Sequence, residues 1–190
     1  MSKESILDKG CVHGRFQPPH LDHMEYILAA LERVEHLIIG IAQPNAPFLD
    51  DCAADPHRAL PEDNPLTYVE RCTAIEKMLS GVGTSRDRYS FSPFPIDRPD
   101  ELPSHVPTTI TCFTTIRDEW NKKKIQILRE RGYEVHVLWD KSNENGISGT
   151  DIRRRIRSSD AIWKDSVHPA VAGYLDSEHL LDRIKLASNT

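Results

Sequence analysis

The chain has 190 residues, of which 28% are charged and 38% hydrophobic, with a formal net charge of −5. That is enough chain for one domain with a real hydrophobic core, and the balance excludes a disordered polypeptide. The acidic excess weighs against a dedicated nucleic-acid binder, which would carry a basic face, although Arg153-Arg154-Arg155 and Lys122-Lys123-Lys124 are local clusters fit for a small polyanion.

In chain order, the opening MSKESILDKG has no apolar run of the kind a secretory leader needs. Val12 to Phe16 reads as a short strand. Leu21 to Val34 follows with Met24, Ile27, Leu28, Leu31 and Val34 on one helical stripe. Leu37 to Ala42 is a fully apolar strand of the parallel-sheet type. Gln43 to Asn64 shows no periodicity and is long for a plain connection. Asn64-Pro65 reads as N-cap and N1 proline, launching a helix through Leu79. Tyr89 to Phe94 and Thr109 to Phe113 are expected strands on either side of a proline-broken link. Asp118 to Arg131 is a charged helix ended by Gly132, and Glu134 to Trp139 is a further strand. A helix starts at Gly149-Thr150, and short helices fill the last thirty or so residues. This alternation predicts an α/β fold with a parallel sheet of about five strands, flanking crossover helices and a short helical C-terminal tail. The four cysteines (Cys11, Cys52, Cys72, Cys112) include no C-x-x-C pair, against both a zinc knuckle and a disulfide framework. With no run long enough to cross a bilayer, the expectation is a cytoplasmic protein with neither membrane nor nucleic acid as partner.

Two motifs fall after strands, at the carboxyl side of the sheet where α/β proteins bind ligands. In GRFQPPHLDH, Gly14 permits close backbone approach, Arg15 offers a planar fork of donors, and Pro18 and Pro19 stiffen the turn. His20 and His23, three apart at a helix start, share a face with the positive end of that helix. Such a set suits a polyphosphate. An H-x-x-H metal clip would need a third protein ligand that the sequence does not place, and a purely structural pair of histidines is the remaining alternative. In ISGTDIRRR, Ser148 and Thr150 flank a helix start and Arg153 projects one turn in. Alone these hydroxyls read as helix caps. Paired with the first motif they suit the outer phosphates of a nucleotide.

These residues carry a resemblance. GRFQPPHLDH resembles the GRFQPxHxGH signature of the HxGH nucleotidyltransferases, and ISGTDIRRR resembles their ISxTxIR. Asn64-Pro65-Leu66-Thr67 running to Glu70-Arg71 is similar to the NPxT…ER segment of archaeal-type nicotinamide mononucleotide adenylyltransferases, as is Arg129 to Val135 to a later one. The resemblance implies a Rossmann-like α/β nucleotidyltransferase domain over residues 10–156, in agreement with the alternation, with 157–190 a helical extension of it. The implied reaction is attack of an acceptor oxyanion on the α-phosphorus of a nucleoside triphosphate, releasing pyrophosphate, with Mg²⁺ carried mainly by the phosphates. By resemblance His20, His23 and Arg153 are catalytic; Gly14, Arg15, Phe16, Arg71, Ser148 and Thr150 bind the nucleotide. For Arg71 the alternative is an exposed helix arginine.

The pattern breaks in three places. Asp22 replaces the glycine of HxGH, and a carboxylate beside phosphates is unhelpful unless it faces away or meets metal. Phe113-Thr114-Thr115-Ile116-Arg117 stands where the adenylyltransferases have an SGN-type segment. The tryptophan that they stack on nicotinamide has no counterpart, Trp120 and Trp139 falling elsewhere as packing residues. The triphosphate machinery is kept while the acceptor pocket is rewritten, as expected for a compact anionic acceptor without a flat ring. His13, Arg117 and Thr114 are candidates to hold it, and the Gln43–Asn64 stretch with His57 and Arg58 is a candidate cover or a plain solvated insertion. The cytidylyltransferases of phosphonate-antibiotic pathways resemble this family and act on such acceptors. The leading expectation is therefore transfer of CMP from CTP to a small phosphonate such as phosphonoformate. The alternatives are nicotinamide mononucleotide adenylyltransferase and a non-catalytic nucleotide sensor. The signature is also similar to that of class I aminoacyl-tRNA synthetases, but the chain lacks their lysine-rich second segment. A homo-oligomer stays open as a further partnership.

Overall fold

A computed structural model describes residues 6–43 and 61–187. In chain order the elements are β1 (Leu7–Gly14), α1 (Leu21–Leu31), β2 (Val34–Ala42), α2 (Tyr68–Gly81), β3 (Tyr89–Phe94), α3 (Leu102–His105), β4 (Thr111–Ile116), α4 (Glu119–Glu130), β5 (Val135–Asp140), α5 (Gly149–Arg157), α6 (Pro169–Ser177) and α7 (Leu180–Leu186). Short 3₁₀ segments at Pro61–Asp63, Arg86–Arg88 and Ala161–Ser166 link some of them. The fold is the expected Rossmann-like α/β class. Its described residues form two compact units interleaved along the chain, one of residues 6–14, 25–43 and 85–146, the other of 15–24, 61–84 and 147–187.

The first unit holds the whole sheet, five parallel strands in the order β3-β2-β1-β4-β5. The order reverses between β1 and β4, the place where such sheets open a crevice. Pairing there covers only Gly10–Thr111 and Cys11–Cys112. Beyond that rung Tyr26 fills the gap: its hydroxyl accepts the His13 N–H at 3.2 Å and donates to the Phe113 carbonyl at 2.5 Å. Two backbone groups that the ladder abandons are thus satisfied by one side chain. A core of Cys11, Ala42, Phe94, Ile96, Leu102, Val106, Cys112, Leu128 and Tyr133 lies in this unit, with Trp120 packed against it. α4 starts with a capping box in which Asp118 accepts the Asn121 N–H at 2.8 Å. It ends before Gly132, whose φ of +85° suits a residue without Cβ.

The second unit is helical. α2 buries Arg71, Ala74, Ile75, Met78 and Leu79 and packs on α6, while α5 packs on α7 and on the turn at Ala161–Ser166. Polar joints reinforce these contacts. Arg183 on α7 reaches Glu70 at 2.5 Å, and Arg157 on α5 donates to the carbonyls of Glu62 (2.6 Å) and Ile184 (3.3 Å).

Several boundaries depart from the sequence expectations. β1 begins at Leu7 and stops at Gly14, so Phe16 lies outside it. The stripe assigned to one helix through Val34 breaks after Leu31, and Val34 opens β2. Asn64-Pro65 does not cap α2. Thr67 does, accepting the Glu70 N–H at 3.3 Å while the Glu70 carboxylate takes the Thr67 N–H at 2.8 Å. The physical reason is that the Leu66 N–H and carbonyl are both engaged by the Gln17 amide, at 2.9 Å each, which holds the preceding residues out of the helix. The end of the aperiodic stretch forms the turn at Pro61–Asp63; His57 and Arg58 lie outside the described residues.

Candidate active site

From Gly14, the last residue of β1, the chain turns through Arg15 to His20 before α1 begins. Phe16 is fully buried in the left-handed region (φ +54°), a conformation costing roughly 1–2 kcal/mol for a residue with Cβ. Its ring packs on that of His23, centroids 4.7 Å apart. The Gln17–Pro18 peptide is cis. Gln17 pins the turn through the paired bonds to Leu66, in effect a strand rung made by a side chain. The His20 backbone carbonyl closes the turn by accepting the Met24 N–H at 3.0 Å, the first bond of α1. One helical turn apart, the His20 and His23 rings are stacked with centroids 3.7 Å apart and planes at 28°.

The second motif meets this turn. Arg153, only 1% exposed, donates from Nη1 to the Gln17 carbonyl at 2.8 Å. Its Nη2 meets the Asp63 carboxylate and, at 3.3 Å, the Thr150 hydroxyl. Gly149 sits against the same carbonyl: a Cβ there would lie 2.8 Å from the Gln17 oxygen, so only glycine lets α5 come this close. Ser148 is the N-cap of α5, accepting the Asp151 N–H at 3.0 Å and donating to the Asp151 carboxylate at 2.8 Å. The bland reading of that hydroxyl as a cap is therefore correct for its contacts, while exposed Thr150 faces Arg153. Arg71 overturns its own bland reading. It is wholly buried and donates from Nη1 to the Arg15 carbonyl (2.9 Å) and from Nε to the Thr67 carbonyl (3.3 Å). Burial pushes its guanidinium pKa down to about 10, which leaves it charged at neutral pH. Two buried arginines, Arg15 and two imidazoles thus gather around one turn, a concentration of donors that an anion of several charges would balance.

The sheet unit holds the other candidates. His13 is buried on β1, stacked on Phe94 with centroids 4.5 Å apart and planes at 7°, and its Nε2 has no hydrogen-bond partner among the described residues. Burial, helped by the charge of Lys124, holds its pKa well below the ordinary imidazole value. Thr114 is buried near the carboxyl end of β4, beside a register shift between Thr114 and Thr115 that bends the ladder. Arg117 follows β4, its N–H held by Asn121 Oδ1 at 2.9 Å. Trp139 is half-buried on β5, with Lys141 Nζ 5.1 Å from its ring centre.

Gln17 and Asp63 were not legible as site residues. Gln17 acts through both its side chain and its carbonyl. Asp63 lies in a stretch without periodicity, so nothing local marked it as the partner of Arg153.

A parallel sheet with its order reversed after the first strand, followed by a turn of paired imidazoles locked to an arginine of a later helix, defines a nucleotidyltransferase. The chain belongs to the cytidylyltransferase-like family, whose model matches residues 11–155. It is 36% identical over 185 residues to the phosphonoformate cytidylyltransferase of Streptomyces viridochromogenes, covering 97% of this chain and all of that one. It is 30% identical over 190 residues to the nicotinamide-nucleotide adenylyltransferase of Pyrococcus furiosus, covering 96% of this chain and 91% of the relative. In fold it is similar to the bifunctional NMN adenylyltransferase/ADP ribose pyrophosphatase of Francisella tularensis, with a TM-score of 0.64 at 19% identity. That match covers 97% of this chain and 53% of the other. Among the described residues no helix is long and apolar enough to cross a membrane.

Proposed function

We propose that the protein transfers CMP from CTP to a small phosphonate such as phosphonoformate and releases pyrophosphate. The observation that carries nucleotidyl transfer is the junction of Arg153 with the turn that bears the stacked His20–His23 pair. In this reading an acceptor oxygen, already deprotonated and needing no general base, attacks the α-phosphorus. The bond to the bridging oxygen breaks, and charge accumulates on the phosphoryl oxygens and the departing pyrophosphate. His20 and His23 stabilise that charge by donation from ring nitrogens, Arg15 meets the phosphates, and Arg71 and Arg153 fix the backbone around them while adding positive potential. Mg²⁺ would travel mainly on the phosphates. The phosphonate acceptor is supported by the full-length likeness to a phosphonoformate cytidylyltransferase and by the rewritten Phe113–Arg117 segment. His13, Thr114 and Arg117 are the proposed acceptor contacts.

The second reading, ATP with nicotinamide mononucleotide, is favoured by the adenylyltransferase relatives near 30% identity. The deciding experiment supplies Mg²⁺ with each triphosphate in turn, against phosphonoformate, aminoethylphosphonate and nicotinamide mononucleotide, and follows pyrophosphate. Release with CTP and a phosphonate alone is the expected result. Release only with ATP and the nicotinamide nucleotide replaces the first reading by the second, and binding without release leaves a sensor. In the active pair His23→Ala should lower kcat by about 10²-fold or more, the size of losing one preorganised charge stabiliser; unchanged turnover removes His23 from that role.

A further inference from the structure

Asp22 occupies the first turn of α1, between the two histidines, where the signature pattern has glycine. Its Oδ2 accepts the backbone N–H of Ile147 at 3.0 Å, across 125 residues of chain. Ile147 immediately precedes Ser148, the N-cap of α5. A carboxylate receiving a backbone N–H makes a charge-assisted bond, about twice as strong as a neutral one. The two motifs therefore meet at two hydrogen-bonded points on either side of the α5 N-terminus. One is Gln17 with Arg153, one turn inside the helix, and the other is Asp22 with Ile147, just outside it. Asp63, Glu62 and α7 hold α5 farther along its length; these two bonds set where its N-terminus lies against the signature turn. Gly149, pressed against the Gln17 carbonyl between them, leaves no slack.

We propose that Asp22 is a positioning residue: it holds the 147–150 segment in a set place relative to His20 and His23. Glycine at that position has no atom to make the bond. The carboxylate beside the phosphate motif thus has a use that is neither metal binding nor repulsion. The kinetic consequence rests on the nucleotidyl-transfer reading, whereas the joint itself does not.

Amide hydrogen exchange and steady-state kinetics on the full chain test this together. In Asp22→Ala the Ile147 amide should exchange roughly 10-fold or more faster, as expected from losing a bond to a charged acceptor. In Asp22→Asn, whose Oδ1 can still accept the N–H, most of the protection should return. With the active substrate pair, Asp22→Ala should lower kcat by roughly 10- to 100-fold through misplacement of the phosphate-binding segment, leaving KM for the triphosphate within about threefold. Asn should rescue most of that loss. Unchanged exchange of Ile147 in Asp22→Ala overturns the proposal. So does an Asn variant as impaired as Ala, with a raised Mg²⁺ requirement in both, since the carboxylate would then serve a metal. Should Asp22→Ala fail to fold, Asp22→Ser gives the same readout, because its hydroxyl is too short to span to the amide. If the wild-type chain turns over no pair at all, the functional reading fails while the exchange result still decides the joint.

Discussion

The buried imidazole of His13 links local packing to a measurable pH effect. Burial, aided by Lys124, disfavours its cationic form and sets the native pKa well below the ordinary value. The unfolded chain binds that proton near pH 6.5. Above about pH 7.5 neither state carries it to any extent, and His13 contributes almost nothing to pH dependence. Below about 6.5 the unfolded state takes up a proton that the native state refuses. Stability therefore falls with decreasing pH, approaching about 1.4 kcal/mol per unit until the native pKa is reached. Comparing urea midpoints of the wild type and His13→Gln at pH 7.5 and 5.5 isolates this slope, because the variant lacks the titrating group. The wild type should lose more stability on acidification; equal losses in the two proteins would show that His13 titrates normally.

Among the elements, α2 shows how a cap decides what a helix presents. The Thr67–Glu70 capping box starts the helix where Arg71 falls in its first turn and faces inward. Replacing Thr67 with Ala should cost about 1 kcal/mol in chemical denaturation, the usual value of an N-cap side chain, with the Arg71 contact to Arg15 loosened and activity lowered. A loss within experimental error would mean that tertiary packing alone sets the helix start. The same element marks the limit of reading from sequence. Strand and helix alternation was legible because apolar periodicity survives in the chain: β3 matches its expected span residue for residue, and α4 falls inside its own. The end of α1 was not, since Val34 satisfies both a helical stripe and a strand. The start of α2 was hidden because the deciding bonds come from Gln17, 49 residues away. In the candidate site, residue types in a motif were legible, whereas joints made by carbonyls and by an acid from an aperiodic stretch were not. A long-range hydrogen bond leaves no local pattern.

At the scale of the molecule, the signature turn, the Thr67–Arg71 helix start and the second motif come from three separated stretches of chain, yet all belong to one compact unit. What holds that unit together includes the C-terminal tail. Ile184 on α7 is fully buried and Leu180 nearly so, and α7 packs on α5, the helix that carries Arg153. Arg157 and Arg183 tie the same tail to α5 and α2 through Ile184 and Glu70. If α7 is a buttress, weakening its apolar contact should be felt both as stability and as misplacement of α5. Ile184→Ala should destabilise by about 2–4 kcal/mol, the range for truncating a buried aliphatic side chain. Under conditions where the variant remains folded it should also lower kcat with the active substrate pair. Loss of stability with undiminished turnover would mean that the contacts of α5 outside the tail suffice to orient it and that the tail only covers it. Loss of neither would mean that α7 is a separable appendage.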